Sequence, residues 1–241
     1  MYHSITFGDK NTWDDWHLVP QTRPVLLPPD VKTNYVDIPG ADGHLDLTEA
    51  LVGEPLYKNR TGSIDFYVMN GYQSWEQIYS IIMNYLHGQK MKVFLEDDPG
   101  FYYEGRFSVN TWKSEKHRSE IVIDYDVGPY KIDFYSTADR WLWDPFNFDI
   151  GIIREYYNLY VNQTLTVNII GSRRSYIPTI KSIPSLPQYP ITMTWSGTGS
   201  RNYVLQYGEN KFPDVKIKEG ESTLTFSGFG YITIDYRGGS L

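Results

Sequence analysis

The sequence predicts a mainly β protein with two domains. Tyr, Phe and Trp make up 16% of the 241 residues, and short segments that alternate apolar and polar side chains run through both halves. Aromatic rings suit the pleated, half-buried surface of a sheet, and a period of two is that of a strand with one buried face. Turn-forming Gly, Pro, Asn and Asp separate nearly all of these segments, so we expect many short antiparallel strands.

The first half contains four predicted strands and one predicted helix. Ser74 and Gln77 form a capping box, apolar residues then repeat at helical spacing, and Gly88 stands where a left-handed C-terminal residue belongs. The apolar positions of this helix are Trp75, Ile78, Tyr79, Ile82 and Leu86. The predicted strands are Ser63–Val68, Met91–Leu95, Tyr102–Trp112 and Glu120–Val127, the last two joined by polar residues 113–118.

The N-terminal segment has little periodicity of either kind. Prolines interrupt it repeatedly, at Pro20, Pro24, Pro28 and Pro29 and again in the stretch 38–43. Such a segment has little core of its own and must lean on another surface. We therefore predict an extended arm over about residues 11–60.

The second half shows eight short alternating runs, which is typical of an antiparallel sandwich or jelly roll. Residues 138–150 have no clean period and carry four aromatic residues beside Pro145, so we place the domain junction there, between residues 1–137 and 138–241. The runs are Arg154–Val161, Thr164–Ile170, Ile177–Ser182, Ile191–Trp195, Asn202–Tyr207, Val215–Lys218, Ser222–Ser227 and Tyr231–Tyr236.

Composition excludes several classes of function. The sequence has no Cys, which rules out disulfides and thiol catalysis, and its first residues lack the basic start and apolar run of a secretory signal. No stretch is apolar for long enough to span a membrane, and we expect no membrane association. Residues 1–137 hold 12 Lys and Arg against 20 Asp and Glu, net −8, and residues 138–241 hold 10 against 9, net +1. An acidic first half without a basic stripe argues against gripping nucleic acid.

Acidic residues cluster at 14–15, at 42–46 and at 96–98, with His17 and His44 beside the first two clusters. Paired carboxylates can perform acid–base catalysis or hold a cation. Residues 42–46 do not match a calcium loop, because the glycine comes too early and few oxygen ligands alternate. The five histidines lack a metal-ligand spacing, and nucleophile, phosphate-loop and dinucleotide motifs are absent from the sequence. We expect turn or interface roles for these clusters, with no catalytic residue, metal or cofactor.

Aromatic side chains of the second half could stack on sugars. The candidates are Trp195, Tyr203, Tyr207 and Tyr231. The competing interpretation, which the alternating pattern favours, is that these rings form the core or a subunit contact.

Several phrases of the first half resemble the distal tail (Dit) proteins of long-tailed, non-contractile phages and prophages of Gram-positive hosts. The resemblance covers roughly residues 1–131 in consistent order, and in the second half only the ending Tyr231–Leu241 adds to it. The phrases are Phe7–Leu18, Lys32–Gly43, Asp46–Leu51, Asn59–Gly62, Tyr85–Gly88 and Leu95–Arg106.

The resemblance implies a structural, non-enzymatic protein with a galectin-like second domain. It implies six subunits in a ring at the tail tip of the virion, assembled in the host cytoplasm, through which DNA passes without specific binding. The implied partners are the tail tube and tape measure proteins, the tail-associated hub protein and, in some cases, a receptor-binding protein. Within the phrases, the candidate assembly residues are Trp13, Trp16, Pro39, Gly40, Asp42, Arg60, Asp97, Asp98 and Arg106.

Two other functions compete with this interpretation. The first is a carbohydrate-binding module that attaches to glycans of the host cell wall, and the second is a glycan hydrolase. A module would bind sugar as a monomer, whereas a ring subunit would assemble. A hydrolase would need two facing carboxylates, which sequence alone does not place.

Overall fold

The computed structural model describes residues 2–69, 75–114, 119–139, 154–186, 188–197 and 200–241. The chain is mainly β, with one α-helix in the part that the structure describes, which confirms the predicted fold class. No helix among these residues has the length and apolar character needed to cross a bilayer. The elements are β1 Ile5–Phe7, β2 Lys10–Asn11, β3 Leu18–Pro20, β4 Tyr35–Asp37, β5 His44–Asp46, β6 Arg60–Val68, α1 Trp75–Leu86, β7 Gln89–Leu95, β8 Phe101–Ser114, β9 Ser119–Val127, β10 Lys131–Asp133, β11 Leu159–Gly171, β12 Thr179–Pro184, β13 Thr192–Trp195, β14 Arg201–Val204, β15 Gly208–Lys211, β16 Gly220–Asp235 and β17 Gly239–Ser240.

The chain forms two compact units, residues 1–131 together with Leu241, and residues 132–240. The predicted boundary after residue 137 lies slightly later, and much of the predicted junction, residues 140–150, lies outside the described residues. Thr137 is buried in the second unit, where its hydroxyl donates to the carbonyl of Ile234 at 2.8 Å. Residues 132–137 therefore fold with the second unit.

The first unit is built on a sheet with strand order β2-β1-β7-β8-β9-β6-β3. Strands β6 and β9 pair over nine positions, from Arg60 opposite Val127 to Val68 opposite Ser119. Alternation places Ile64 and Phe66 on the buried face, and the four strands predicted for this half are confirmed.

The helix of the first unit covers one side of the core. Ile78, Ile82 and Leu86 recur at helical spacing and are all buried. Gly88 has φ of +75°, the left-handed conformation predicted for the helix C-terminus. Ser74, the predicted cap, lies outside the described residues.

Part of the predicted arm belongs to this core. Trp16, Leu18 and Leu26 are at most 4% exposed, and β3 pairs with β6 at the edge of the sheet. These apolar side chains have no regular spacing because, of the three, only Leu18 lies in a strand. From residue 27 to residue 59, in contrast, no residue is buried. The extended segment that leaves the core is thus shorter than the predicted arm of residues 11–60.

The second unit has a sheet of order β14-β13-β16-β12-β15, and β11 pairs along its whole length with residues 220–232 of β16. The eight predicted short strands are partly wrong. The runs at 164–170 and at the end of 154–161 form the single strand β11, and the runs 222–227 and 231–236 form β16. Val215–Lys218 makes only an isolated bridge between Ile217 and Tyr176, and β15 is an additional strand.

Two glycines explain why the sequence predicts two short runs where β16 is a single strand. Gly228 and Gly230 resemble a turn in the sequence, but they lie within β16 with φ of +136° and +146°. A Cβ at Gly230 would stand 2.3 Å from the carbonyl oxygen of Ile183. Gly230 therefore admits the close approach of a neighbouring backbone, as glycine inside a strand often does.

Candidate assembly surface

Residues 28–59, called the arm below, leave the first unit and return to it. The two legs pair near their start, where the amide of Lys32 donates to the carbonyl of Leu56 and that of Lys58 to Asp30, both at 2.8 Å. Farther out, β4 and β5 form a two-stranded sheet of their own. All six residues of these strands are exposed, so the hairpin packs on no other part of its own unit.

The arm exposes many large apolar side chains. They are Val31, Tyr35, Val36, Ile38, Leu45, Leu51 and Leu56, each at least 41% exposed. Leu51, at 95%, is the extreme case. A single hairpin is at best marginally stable in water, and a contiguous exposed apolar surface marks an interaction site. The arm therefore has the composition of a segment that is stabilised by another protein surface.

Three predicted assembly residues lie at the tip of the arm. Pro39, Gly40 and Asp42 are exposed in the turn between β4 and β5, and Gly40 has φ of +84°. A Cβ at Gly40 would meet no atom within 4 Å. Glycine is thus needed there for its backbone conformation and not for a contact within the chain.

Arg60 holds the base of the arm together. Its side chain is buried, its Nε donates to the carbonyl of Pro129 at 2.8 Å, and its guanidinium also donates to Leu27 at 3.1 Å and to Leu26 at 3.4 Å. Leu26 and Leu27 immediately precede the arm and Arg60 immediately follows it. The planar, multi-donor guanidinium can serve several carbonyls at once, which an ammonium does less well. The phrase Asn59–Gly62 therefore carries the residue that fixes both ends of the arm.

Tyr125 supports the same base. Its hydroxyl accepts the amide hydrogen of Leu27 at 2.9 Å. The ring lies against Gly62, where a Cβ would stand 2.5 Å from the tyrosine oxygen. Sequence reasoning did not single out Tyr125, because its alternation with Ile121 and Ile123 indicates only a core position.

Asp97 and Asp98 hold the loop between β7 and β8 in place through side-chain contacts. The Nδ1 atom of His3 lies 2.9 and 3.0 Å from the two carboxylate oxygens of Asp97, and Arg23 donates to the same carboxylate at 2.9 Å. Lys131 binds Asp98 at 2.8 Å. These ion pairs join positions 94 and 74 residues apart in the chain. The cluster thus has a structural role within the first unit, as expected for carboxylates in a turn.

The remaining candidates are also structural. Trp16 is buried against Phe7 and Tyr85, and Trp13 stacks on Tyr2 with a centroid distance of 3.9 Å. Arg106 donates to the carbonyl of Gly88, just after the helix C-terminus, where a cation is favourable. The predicted assembly residues therefore do not form one site: they divide among the core, the arm base, the arm tip, the 96–98 loop and, for Trp13 and Arg106, partly or fully exposed positions of the first unit.

Carboxylates of the other two acidic clusters accept backbone amide hydrogen bonds. Asp15 accepts the amide of Asn11 at 2.8 Å, and Asp46 accepts that of Thr48 at 2.8 Å, as carboxylates in turns commonly do. Among the described residues, no three His, Cys, Asp or Glu side chains come together in a geometry suited to a metal ion.

Replacing Asp97 with Asn should lower stability in a pH-dependent way. The hydrogen bonds from His3 and then Arg23 hold the pKa of Asp97 below its ordinary value of 3.8. A carboxyl group whose pKa is lower in the folded state stabilises the fold above its unfolded pKa, and this stabilisation is lost as the pH falls through the folded pKa. Urea unfolding should show Asp97→Asn less stable than the unchanged protein near neutral pH, with the difference shrinking as the pH falls below 3.8 and vanishing once the pH is below the folded-state pKa of Asp97.

Asp42→Asn, at the exposed arm tip, is the control for this experiment and should unfold like the unchanged protein at both pH values. A difference for Asp97→Asn that persists unchanged at acid pH would contradict the ion-pair explanation.

The four aromatic candidates of the second unit do not share one surface. Trp195 is 6% exposed and belongs to the core, and Tyr203 is partly buried with its hydroxyl donating to Asp214 at 2.6 Å. Tyr207 is 79% exposed, in the segment between β14 and β15. Only Tyr231 lies on an exposed face of the sheet beside another aromatic ring, that of Tyr160. This pairing depends on strand register, which sequence alone did not give.

Comparison with known proteins shows similarity at the level of structure. No protein-family model matches the chain, and no curated protein sequence matches it. Among solved structures, the chain is similar to the Dit protein (gp 19.1) of SPP1, described as a paradigm of the hub adsorption apparatus in phages that infect Gram-positive bacteria. The TM-score is 0.67 at 12% sequence identity, and the alignment covers 99% of each chain. The chain therefore has the fold of the SPP1 Dit protein over essentially its whole length.

Proposed function

We propose that the protein is a structural, non-enzymatic subunit of a phage tail tip that forms a hexameric ring and connects the tail tube to the adsorption apparatus. The fold shared with a phage hub protein over 99% of both chains carries this proposal. The exposed arm supports it independently. A ring requires head-to-tail contacts that close by rotation, and an arm whose β4–β5 hairpin is fully exposed can reach a neighbouring copy.

The first unit is proposed to build the ring. It holds the arm and the net negative charge of the chain, since residues 1–131 carry 12 Lys and Arg against 19 Asp and Glu, net −7. An acidic unit offers few cations to DNA phosphates, which suits a lumen through which DNA passes without adhering. The proposed partners are the tail tube and tape measure proteins on one side, the tail-associated hub protein on the other, and a receptor-binding protein at the periphery.

The mass of the protein in solution tests the proposal. Six copies of 28.1 kDa give about 170 kDa for a closed ring. In the double variant Leu45→Asp/Leu51→Asp we expect a folded monomer, because two charges on an arm that should be buried in the ring oppose assembly. Native mass spectrometry distinguishes the two species.

A matched control places the same charges elsewhere. Tyr189→Asp/Tyr207→Asp alters two exposed side chains of the second unit and should leave the ring intact. A full chain that stays monomeric at every concentration tested, or an arm variant that still forms the ring, would refute the proposed assembly.

A further inference from the structure

One outer face of the second unit carries no charged side chain over five alternate residue pairs of β11 and β16. These pairs run from Tyr160 opposite Tyr231 at one end to Asn168 opposite Thr223 at the other. Alternate residues of the same strands, such as Val167 and Leu224, are buried in the core. The uncharged residues therefore form the solvent-facing side of the sheet, bounded by Glu221 beyond one end and Lys181 beyond the other.

Hydroxyl and amide groups fill the middle of this face across four strands. Thr166, Thr225, Thr194 and Asn202 stand in register on β11, β16, β13 and β14. The Thr194 hydroxyl donates to the Asn202 side chain at 2.7 Å, and the Thr166 and Thr225 hydroxyls are 3.4 Å apart. Since neighbouring strands lie about 4.8 Å apart, the row presents closely spaced groups that can donate and accept hydrogen bonds.

An aromatic platform adjoins the hydroxyl groups. The rings of Tyr160 and Tyr231 are 5.1 Å apart at 44°, and both side chains are about half exposed. Ile183 pairs with Tyr231 on its other side and is also half exposed. From Tyr160 to Thr166 along β11 is about 20 Å of strand, which is long enough for several sugar units.

Strand propensity alone does not account for this composition. Threonine is favoured in strands, but several exposed strand positions on the main sheet of the first unit are charged. On the first unit's sheet, Lys92 lies opposite Glu104, and Arg106 lies opposite Asp126. Charged residues make up 21% of the whole sequence. The uncharged face is therefore a distinct surface, and it offers no cation to an anionic ligand.

We propose that this face binds an uncharged, pyranose-containing polysaccharide of the bacterial surface. The Tyr160 and Tyr231 rings would stack on the apolar C–H face of a sugar, because the face of an aromatic ring is electron-rich. The threonine and asparagine side chains would exchange hydrogen bonds with sugar hydroxyls, which are likewise both donors and acceptors. The bacterial source of the polysaccharide rests on the proposed tail-tip function, whereas the binding chemistry rests on the face alone.

Calorimetric titration of the full chain with maltohexaose, cellohexaose and chitohexaose tests this inference, with hexagalacturonate as the anionic comparison. We expect saturable binding of at least one neutral hexaose and none of hexagalacturonate. Tyr160→Ala/Tyr231→Ala should weaken binding at least tenfold. The control Tyr189→Ala/Tyr207→Ala removes two exposed rings from outside the face and should bind like the unchanged protein.

A second variant tests the inference even if the tyrosine variant fails to fold. Thr166→Val/Thr194→Val/Thr225→Val keeps the shape and strand propensity of the row while removing three hydroxyls, and should also weaken binding at least tenfold with an unchanged circular dichroism spectrum. Absence of binding to all three neutral hexaoses, binding of hexagalacturonate alone, or unchanged affinity in the threonine variant would overturn the inference. Ring assembly is measured separately by mass, so a ring that binds no neutral sugar refutes this inference and leaves the proposed function standing.

Discussion

Replacing Gly105 with alanine should destabilise the first unit by about 3–5 kcal/mol, because the new methyl group has no space. Gly105 lies in β8 within the phrase Leu95–Arg106, opposite Val127 of β9. A Cβ at this position would stand 2.2 Å from the carbonyl oxygen of Asp126 and 2.4 Å from the Cα of Val127. Both are backbone atoms of a paired strand, so no side-chain rotation can relieve the overlap. The sheet itself would have to move.

Gly128→Ala provides the matched control. This glycine follows β9, and its added Cβ would meet only the carbonyl oxygen of Glu104, at 3.7 Å, an ordinary contact distance. Gly128→Ala should lower the free energy of unfolding by less than about 1 kcal/mol. Urea unfolding followed by circular dichroism measures both variants. Equal stability of the two would show that the strands separate easily at Gly105 and that the steric argument is wrong.

Arg60→Met should have the second large effect, about 3–4 kcal/mol, because three carbonyl oxygens at the arm base lose their donor. Methionine retains much of the apolar volume of the stem, so the loss falls mainly on hydrogen bonding. With the carbonyls of Leu26, Leu27 and Pro129 released, the arm would no longer leave the core in a fixed direction. We therefore expect impaired ring formation even under conditions in which the variant remains folded.

Arg106→Met is the comparison for this substitution. Its guanidinium is exposed and donates to the carbonyl of Gly88, so removal should lower the free energy of unfolding by less than about 1 kcal/mol and leave the ring intact. Urea unfolding gives the stability and native mass spectrometry the assembly. Arg60→Met with the stability and ring fraction of Arg106→Met would show that the arm base needs no buried guanidinium.

The phrases that resemble distal tail proteins prove to be parts of one structural unit. Tyr85 of one phrase donates its hydroxyl to the carbonyl of Phe7 in another at 2.9 Å, and Trp16 packs on both residues. Arg106 reaches Gly88 in the same way. Their order along the chain was visible in the sequence. Their contacts were not, because nothing local to Phe7 specifies a partner 78 positions away.

The sequence by itself determined the mainly β class, the helix with its C-terminal glycine, and the four strands β6 to β9 of the first unit. These features depend on periodicity and on backbone preferences of single residues, which are local properties. The sequence also contains the uncharged runs Thr164–Asn168 and Thr223–Ser227, but it does not show that they share one face.

Only the tertiary structure decided that β11 and β16 continue through their apparent turns, that Trp195 is core, and that Arg60 fastens the arm. Each of these outcomes depends on which strands pair and in what register. A one-residue shift in register would exchange the buried and exposed faces of β16, so the pairing alone brings Tyr231 beside Tyr160 and sets the threonines in one row. Strand pairing is fixed by burial of the whole core and not by any short segment, which is why the sequence predicted the elements but not the surfaces they form.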